Sequence, residues 1–119
     1  MSMKLFDAEL KVMEVLWSEG DTTAKRVAEI LGERIGWSKT TTYTMIKRCR
    51  DKGAIERREP HWVCHPLVTI EEAREYETNE LINKMFGGAA DQLVASILGR
   101  GNLSEDEIER LKRAVREWE

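Results

Sequence analysis

Cysteine, proline and histidine are scarce in this chain: two of each in 119 residues. Two cysteines, Cys49 and Cys64, do not make a disulfide framework, and their spacing matches no CxxC metal or redox motif. Both histidines, His61 and His65, fall within five residues of each other. Cys64 and His65 are neighbours on an extended segment, so their side chains point to opposite faces, and a metal would need at least three converging ligands. With no GxSxG and no glycine-rich phosphate loop, no catalytic constellation is present, and neither enzyme activity nor a cofactor is expected. No apolar run approaches the length that spans a membrane, and Met1 to Asp7 lacks an apolar signal core, so the cytoplasm is the expected location.

A net positive charge is also absent, the formal net charge being −3. That average conceals a split. Residues 1–33 carry 4 basic and 7 acidic side chains; residues 34–58 carry 8 basic and 2 acidic, a net of +6; residues 61–119 carry 7 basic and 12 acidic. A compact basic block lies between two acidic flanks, and a nucleic-acid phosphate backbone would feel the block rather than the mean.

Apolar periodicity organises the chain into short helices. Leu10, Met13, Leu16 and Trp17 predict a helix over 8–19, with Asp7 as its cap and Gly20 as its stop. Thr23 caps a second helix whose inner face holds Ala24, Val27, Ile30 and Leu31, with Gly32 and Gly36 at its end. Ser38 precedes a third, in which Thr42, Met45, Ile46 and Cys49 recur at i, i+3, i+4 and i+7. Gly53 ends it. Ala54 to Arg58, a turn at Glu59-Pro60, and His61 to His65 read as a small hairpin. Three helices and a hairpin make a winged helix with a helix-turn-helix unit. The fold class is therefore mostly α with a small β-hairpin wing, followed by a helical arm.

The arm begins near Pro66, giving a winged-helix domain over 1–67 and a three-helix dimerisation region over 68–119. Thr69 and Glu72 have the form of a capping box for a helix running to about Phe86. Gly87-Gly88 break it, Ala89 to Leu98 form a shorter helix, and Ser104 with Glu107 make a second capping box for the last one. Leu81, Ile82, Met85, Phe86, Leu93, Val94, Ile97, Leu98, Leu111, Val115 and Trp118 supply more apolar surface than a solvated appendage needs. Three helices of this size bury little alone, so a homodimer is expected.

On a helical wheel the inner set of the third helix clusters within about 50° of Thr42. The opposite side holds Thr40, Tyr43, Thr44 and Lys47, with Thr41, Arg48 and Arg50 at the flanks. These groups suit phosphates, base edges and thymine methyls. A merely solvated face would use better helix formers than threonine. Ser38 adds a hydroxyl at the helix N-terminus, and Arg57 and Arg58 flank the wing turn within reach of phosphates or the minor groove. The expected partner is double-stranded DNA. A protein–protein module on the same scaffold is the alternative, but it has no reason to concentrate +6 in residues 34–58.

Several segments together resemble the BlaI/MecI group of bacterial repressors. They are Asp7-Ala8-Glu9-Leu10 with Val12-Met13 and Val15-Leu16-Trp17, Trp37-Ser38 followed by Thr41, Thr44 and Ile46, Lys52-Gly53, Pro66-Leu67-Val68, Phe86-Gly87-Gly88, Leu93-Val94, and Leu103-Ser104-Glu105 with Glu107-Ile108-Glu109. The resemblance implies an N-terminal winged helix, a dimerising arm, repression at pseudo-palindromic operators and release by a sensor-linked protease that cuts the middle helix of the arm. Thr40 and Tyr43 stand where family members commonly carry lysine and arginine. The position matching the cleaved bond is Ser96-Ile97, where the family typically has Asn-Phe.

Overall fold

The computed structural model describes residues 3–118. It is mostly helical, with six helices and a three-stranded antiparallel sheet among these residues: α1 (Asp7–Glu19), β1 (Thr22–Thr23), α2 (Ala24–Ile35), α3 (Lys39–Asp51), β2 (Ile55–Arg58), β3 (Val63–Pro66), α4 (Ile70–Phe86), α5 (Ala90–Gly99) and α6 (Glu105–Glu117). No helix is long and apolar enough to cross a membrane among the described residues. The chain forms two compact units, Met1–Thr78 and Asn79–Glu119, with the division inside α4.

The first unit has a single core. Val12, Met13, Val15 and Leu16 from α1, Val27, Ile30 and Leu31 from α2, and Ile46 and Cys49 from α3 are buried together with Ile55 and Cys64 of the hairpin. Val68, just before α4, and Ala73, in its first turn, close it. The Trp17 indole donates to the Val68 carbonyl at 2.9 Å, tying α1 to the segment that launches α4.

Local chemistry sets the helix ends. Thr23 and Ser38 accept from the backbone N–H groups of Arg26 and Thr41, each at 3.1 Å, so both expected caps are in place. Gly36 ends α2 at φ 71°, a left-handed position that glycine fills without steric cost, and so sets the turn into α3. Asp7 is not the cap of α1 but its first helical residue; the Glu9 carboxylate instead reaches back to the Phe6 N–H at 2.8 Å. The same Glu9 oxygen accepts from Lys52 Nζ at 2.5 Å, and Lys52 also donates to the Lys4 carbonyl at 2.6 Å. Glu9 is 2% exposed, and this ion pair ties the first turn of α1 to the end of α3.

The hairpin differs from expectation in two ways. His61 and Trp62 lie at φ 71° and 50°, which takes them out of any ladder, and the second strand starts at Val63. A third strand is present as well. Thr22 and Thr23 pair with Cys64 and Val63, and the sheet order is β1-β3-β2. The wing is thereby anchored to the N-terminal end of α2, where the Ala24 N–H also donates to the Trp62 carbonyl at 3.0 Å.

In the second unit Gly87 and Gly88, both at positive φ, separate α4 from α5. Both expected capping boxes form, the one at Thr69 in the first unit and the one at Ser104 in the second. Thr69 and Glu72 exchange bonds at 2.9 and 3.0 Å, and Ser104 and Glu107 at 2.9 and 3.1 Å. Trp118, one of the expected dimerisation residues, falls just beyond α6 in an extended conformation and is 80% exposed.

Candidate nucleic-acid interface

The inner face of α3 is fixed by burial. Thr42, Ile46 and Cys49 are fully enclosed, and the Thr42 hydroxyl bonds back to the Ser38 carbonyl at 3.2 Å, which satisfies its polar atom. Met45 is half-buried. With that face packed on α1 and α2, the opposite face is turned outward. Thr40, Thr41, Thr44, Lys47 and Arg48 are exposed on it.

Their hydroxyls differ in availability. Thr44 donates to the Thr40 carbonyl at 2.9 Å, so its oxygen is left to accept. Ser38 is committed to the cap and also donates to the Thr41 hydroxyl at 3.0 Å. Its hydroxyl thus serves the helix first, whereas Thr41 retains a donor.

Tyr43 behaves differently from its neighbours. It is half-buried because Trp62 from the wing loop packs beside it, the ring centroids lying 5.3 Å apart at 54°. The Arg57 guanidinium lies over the other ring system of this stack, 4.1 Å from the Trp62 centroid, and its Nε is held by Glu59 at 2.6 Å. Tilted aromatic pairs contribute about 0.5–1.5 kcal/mol beyond area burial, and an exposed cation–π contact about 0.5–1 kcal/mol. Lys39, Thr40, Tyr43, Thr44, Lys47 and Trp62 together line a groove of about 450 Å³ between α3 and the wing.

The wing arginines are both engaged. Arg58 pairs with Glu56 at 3.0 Å and with Asp21 at 3.5 Å, and Asp21 also binds His65 Nδ1 at 2.7 Å. Arg50 is half-buried and lies 3.8 Å from Asp51. Lys39, Lys47 and Arg48 make no ion pair among the described residues. Lys39 and Trp62 were not among the expected contact residues. Lys39 shares an i, i+4, i+8 row with Tyr43 and Lys47, a spacing that could have identified it. Trp62 carried no such signal, because a wing loop places it.

Both thiols are sealed in the core. Burial pushes Cys49 up to about 12 and Cys64 up to about 11, in the second case against the opposing pull of Arg57. Arg57 therefore does not make Cys64 a reactive thiolate.

The residues expected to dimerise differ in exposure. Leu81 and Met85 of α4, Val94 and Leu98 of α5, and Leu111 and Val115 of α6 are exposed, while Ile82, Phe86, Leu93 and Ile97 are half-buried. No described residue from Asn79 onward is buried. Val94, Leu98, Ile108, Leu111 and Val115 line an apolar groove of about 480 Å³ bordered by Lys112 and Arg116. Ser96, exposed, and Ile97 lie inside α5.

Comparison with known proteins gives a consistent picture. The family model described as "Penicillinase repressor" matches residues 5–117. The methicillin resistance regulatory protein MecI of Staphylococcus aureus is 30% identical over 114 residues, covering 94% of this chain and 93% of that protein. The penicillinase repressor of Bacillus licheniformis is 28% identical over 116 residues, 96% of this chain and 91% of that protein. Among solved structures, monomeric Bacillus licheniformis BlaI in complex with the blaP half-operator matches with a TM-score of 0.54 and 28% identity, over 60% of this chain and 90% of that one.

Proposed function

Since the chain belongs to the penicillinase repressor family, a family of repressors and not of enzymes, we propose that it is a sequence-specific DNA-binding repressor acting as a homodimer on a pseudo-palindromic operator. The observation that carries this reading is the outward face of α3. Thr40, Thr41, Thr44, Lys47 and Arg48 are exposed there while the packed inner face fixes the helix. Such a face supplies donors for base edges and cations for phosphates from one rigid element. Tyr43 contributes its ring edge and hydroxyl. Arg50, Arg57 and Arg58 each lie beside a carboxylate, so they stay paired within the protein and are not counted among the phosphate contacts. Ser38 contributes mainly the ordered helix N-terminus.

Residues 1–67 are the reading domain and 68–119 the dimerisation region. The absence of any buried residue among those described from Asn79 onward supports a partner chain. Leu81, Met85, Val94, Leu98, Leu111 and Val115 are the surface it would cover, with Ile82, Phe86, Leu93 and Ile97 beneath. A symmetric partner would place two α3 helices for two half-sites. Release by proteolysis would act at Ser96-Ile97. The helix around that bond has no buried residue, so local opening costs little.

The test is fluorescence anisotropy of the full chain on the duplex upstream of its own gene and on a scrambled duplex, at about 50 and 200 mM salt. A preference for the native duplex of about 10³ or more supports the reading. Equal binding to both, or a Lys47→Glu variant that binds like the parent, would overturn it.

A further inference from the structure

We propose that Trp62 is a specificity-setting positioning residue: it holds the Tyr43 ring in one orientation on the DNA-facing side of α3, and so determines which base step the tyrosine accepts. The inference rests on the repressor reading and deepens it.

Tyr43 lies on the side of α3 that carries Thr40, Thr44 and Lys47, and all four line the groove between the helix and the wing. A tyrosine left free on a helix surface turns through several rotamers and reads no fixed position. This one is propped. Trp62 sits 5.3 Å away, tilted by 54°. Trp62 is itself held from two directions. Arg57 covers its ring at 4.1 Å while anchored to Glu59, and its carbonyl accepts from the first N–H of α2. The result is a relay of Glu59, Arg57, Trp62 and Tyr43 from the wing turn to the reading helix.

Two features show that this placement is not selected by stability alone. His61 and Trp62 are consecutive non-glycine residues at positive φ, a sparsely populated backbone conformation. The Trp62 indole N–H is also buried with no acceptor among the described residues, which costs stability. A wing that merely had to cover the core could place an aliphatic side chain here without either penalty. The arrangement instead fixes an aromatic prop. It also holds Arg57 as part of the prop rather than as a phosphate contact.

The consequence is a contact that carries sequence information but no charge. An aromatic edge with a hydroxyl meets a thymine methyl or a base-edge acceptor. Losing its orientation should relax discrimination and leave phosphate binding as it was.

The experiment first selects the duplex bound best by the full-length protein from a random pool. Affinity for that duplex and for a scrambled one is then measured for the parent, Trp62→Phe, Trp62→Ala, Tyr43→Ala and the Trp62→Ala/Tyr43→Ala double variant. Each is first shown to have the parent's circular-dichroism spectrum. Trp62→Ala is expected to lower the specific-to-scrambled ratio about tenfold with the salt slope unchanged, and Trp62→Phe to restore most of it. In the Tyr43→Ala background, Trp62→Ala should add nothing, because it acts through the tyrosine. Additive losses, an equal fall on both duplexes, or an unchanged ratio would overturn the role of Trp62. If Trp62→Ala does not keep the parent's fold, Trp62→Phe and Trp62→Leu supply the comparison, and equal ratios for the two would overturn it. Failure of the pool to yield any preferred duplex would overturn the repressor reading itself.

Discussion

Raising the salt concentration separates the charge the sequence counts from the charge the structure exposes. Residues 34–58 carry 8 basic side chains. If all met phosphates, log affinity would fall against log salt with a slope of about −7 per bound protomer. The structure removes half of them. Lys52 is held by Glu9, Arg57 by Glu59, Arg58 by Glu56 and Asp21, and Arg50 lies beside Asp51. Arg34, Lys39, Lys47 and Arg48 remain, without an ion pair among the described residues. If all four met phosphates, Arg34 at the end of α2 included, the slope would be no steeper than about −3.6 per protomer. Between 50 and 200 mM salt that is a loss of roughly 150-fold for each protomer, against roughly 20,000-fold for the full block. Anisotropy titrations at five or six salt concentrations measure the slope directly. Lys47→Gln should reduce its magnitude by about 0.9, while Arg57→Gln and Arg58→Gln leave it unchanged. A parent slope near −7, or a flattening on Arg57→Gln, would refute the reasoning by showing that the wing arginines exchange their carboxylates for phosphates on binding.

Three further outcomes follow from the same geometry. Glu9→Ala removes the partner of Lys52 and the acceptor of the Phe6 N–H; because Lys52 keeps a 28% exposed side chain it can turn to water, so we expect a loss of about 2 kcal/mol, roughly 10 °C in Tm, measured by thermal denaturation, and a loss under about 0.5 kcal/mol would contradict the assigned role. Cys49 and Cys64 should react with a thiol reagent only as the domain opens, and their raised values mean that the stability their neutral forms contribute is complete below pH 9 and is lost as pH rises toward about 11 and 12; fast labelling of the native protein at pH 8 would contradict this. The backbone N–H and hydroxyl of Thr69 hold the Glu72 carboxyl below its ordinary value, and those of Ser104 do the same for Glu107, so their stabilisation is present above pH 4.5 and lost as pH falls through the lowered values; a Glu72→Gln/Glu107→Gln variant should therefore lose less Tm than the parent between pH 6 and 3.

What the sequence made legible was local. The caps Thr23 and Ser38 and the capping boxes at Thr69 and Ser104 act across three residues, and each is found in place. The inner face of α3 follows from a period of 3.6 and is buried at Thr42, Ile46 and Cys49. What stayed hidden is long-range. Strand β1 is two residues long, too short for any periodicity, and it exists only because Val63 and Cys64 arrive beside it from forty residues away. The wheel puts Tyr43 on the outer face correctly but cannot show that a tryptophan from the wing leans on it. The basic block overstated the available charge because Glu9 and Asp21 reach Lys52 and Arg58 across the fold, adding to the local pairing of the wing arginines with Glu56 and Glu59. The first cap failed for a subtler reason. A glutamate three residues into the helix can satisfy the leading N–H even when the capping position is Phe6, so a nearby aspartate is not needed.

The two halves of the chain also differ in how they obtain stability, and that difference bears on control. The first unit closes its own core, so α3 is ordered with or without a partner. The second unit has apolar stripes but no buried residue among those described, so its helices gain their burial from whatever covers them. On the proposed reading the cover is a second copy, and the stability of the arm then depends on protomer concentration. Operator binding inherits that dependence. Two reading units joined through the arm bind the second half-site at a high effective concentration, while a severed or opened arm leaves each unit to bind a half-site alone. A break inside α5 would therefore weaken repression without touching any residue that meets DNA. Occupancy would fall steeply with dilution of the repressor, because dimer and operator equilibria multiply. A chain whose operator affinity did not change with protomer concentration would have to cover the arm in some other way.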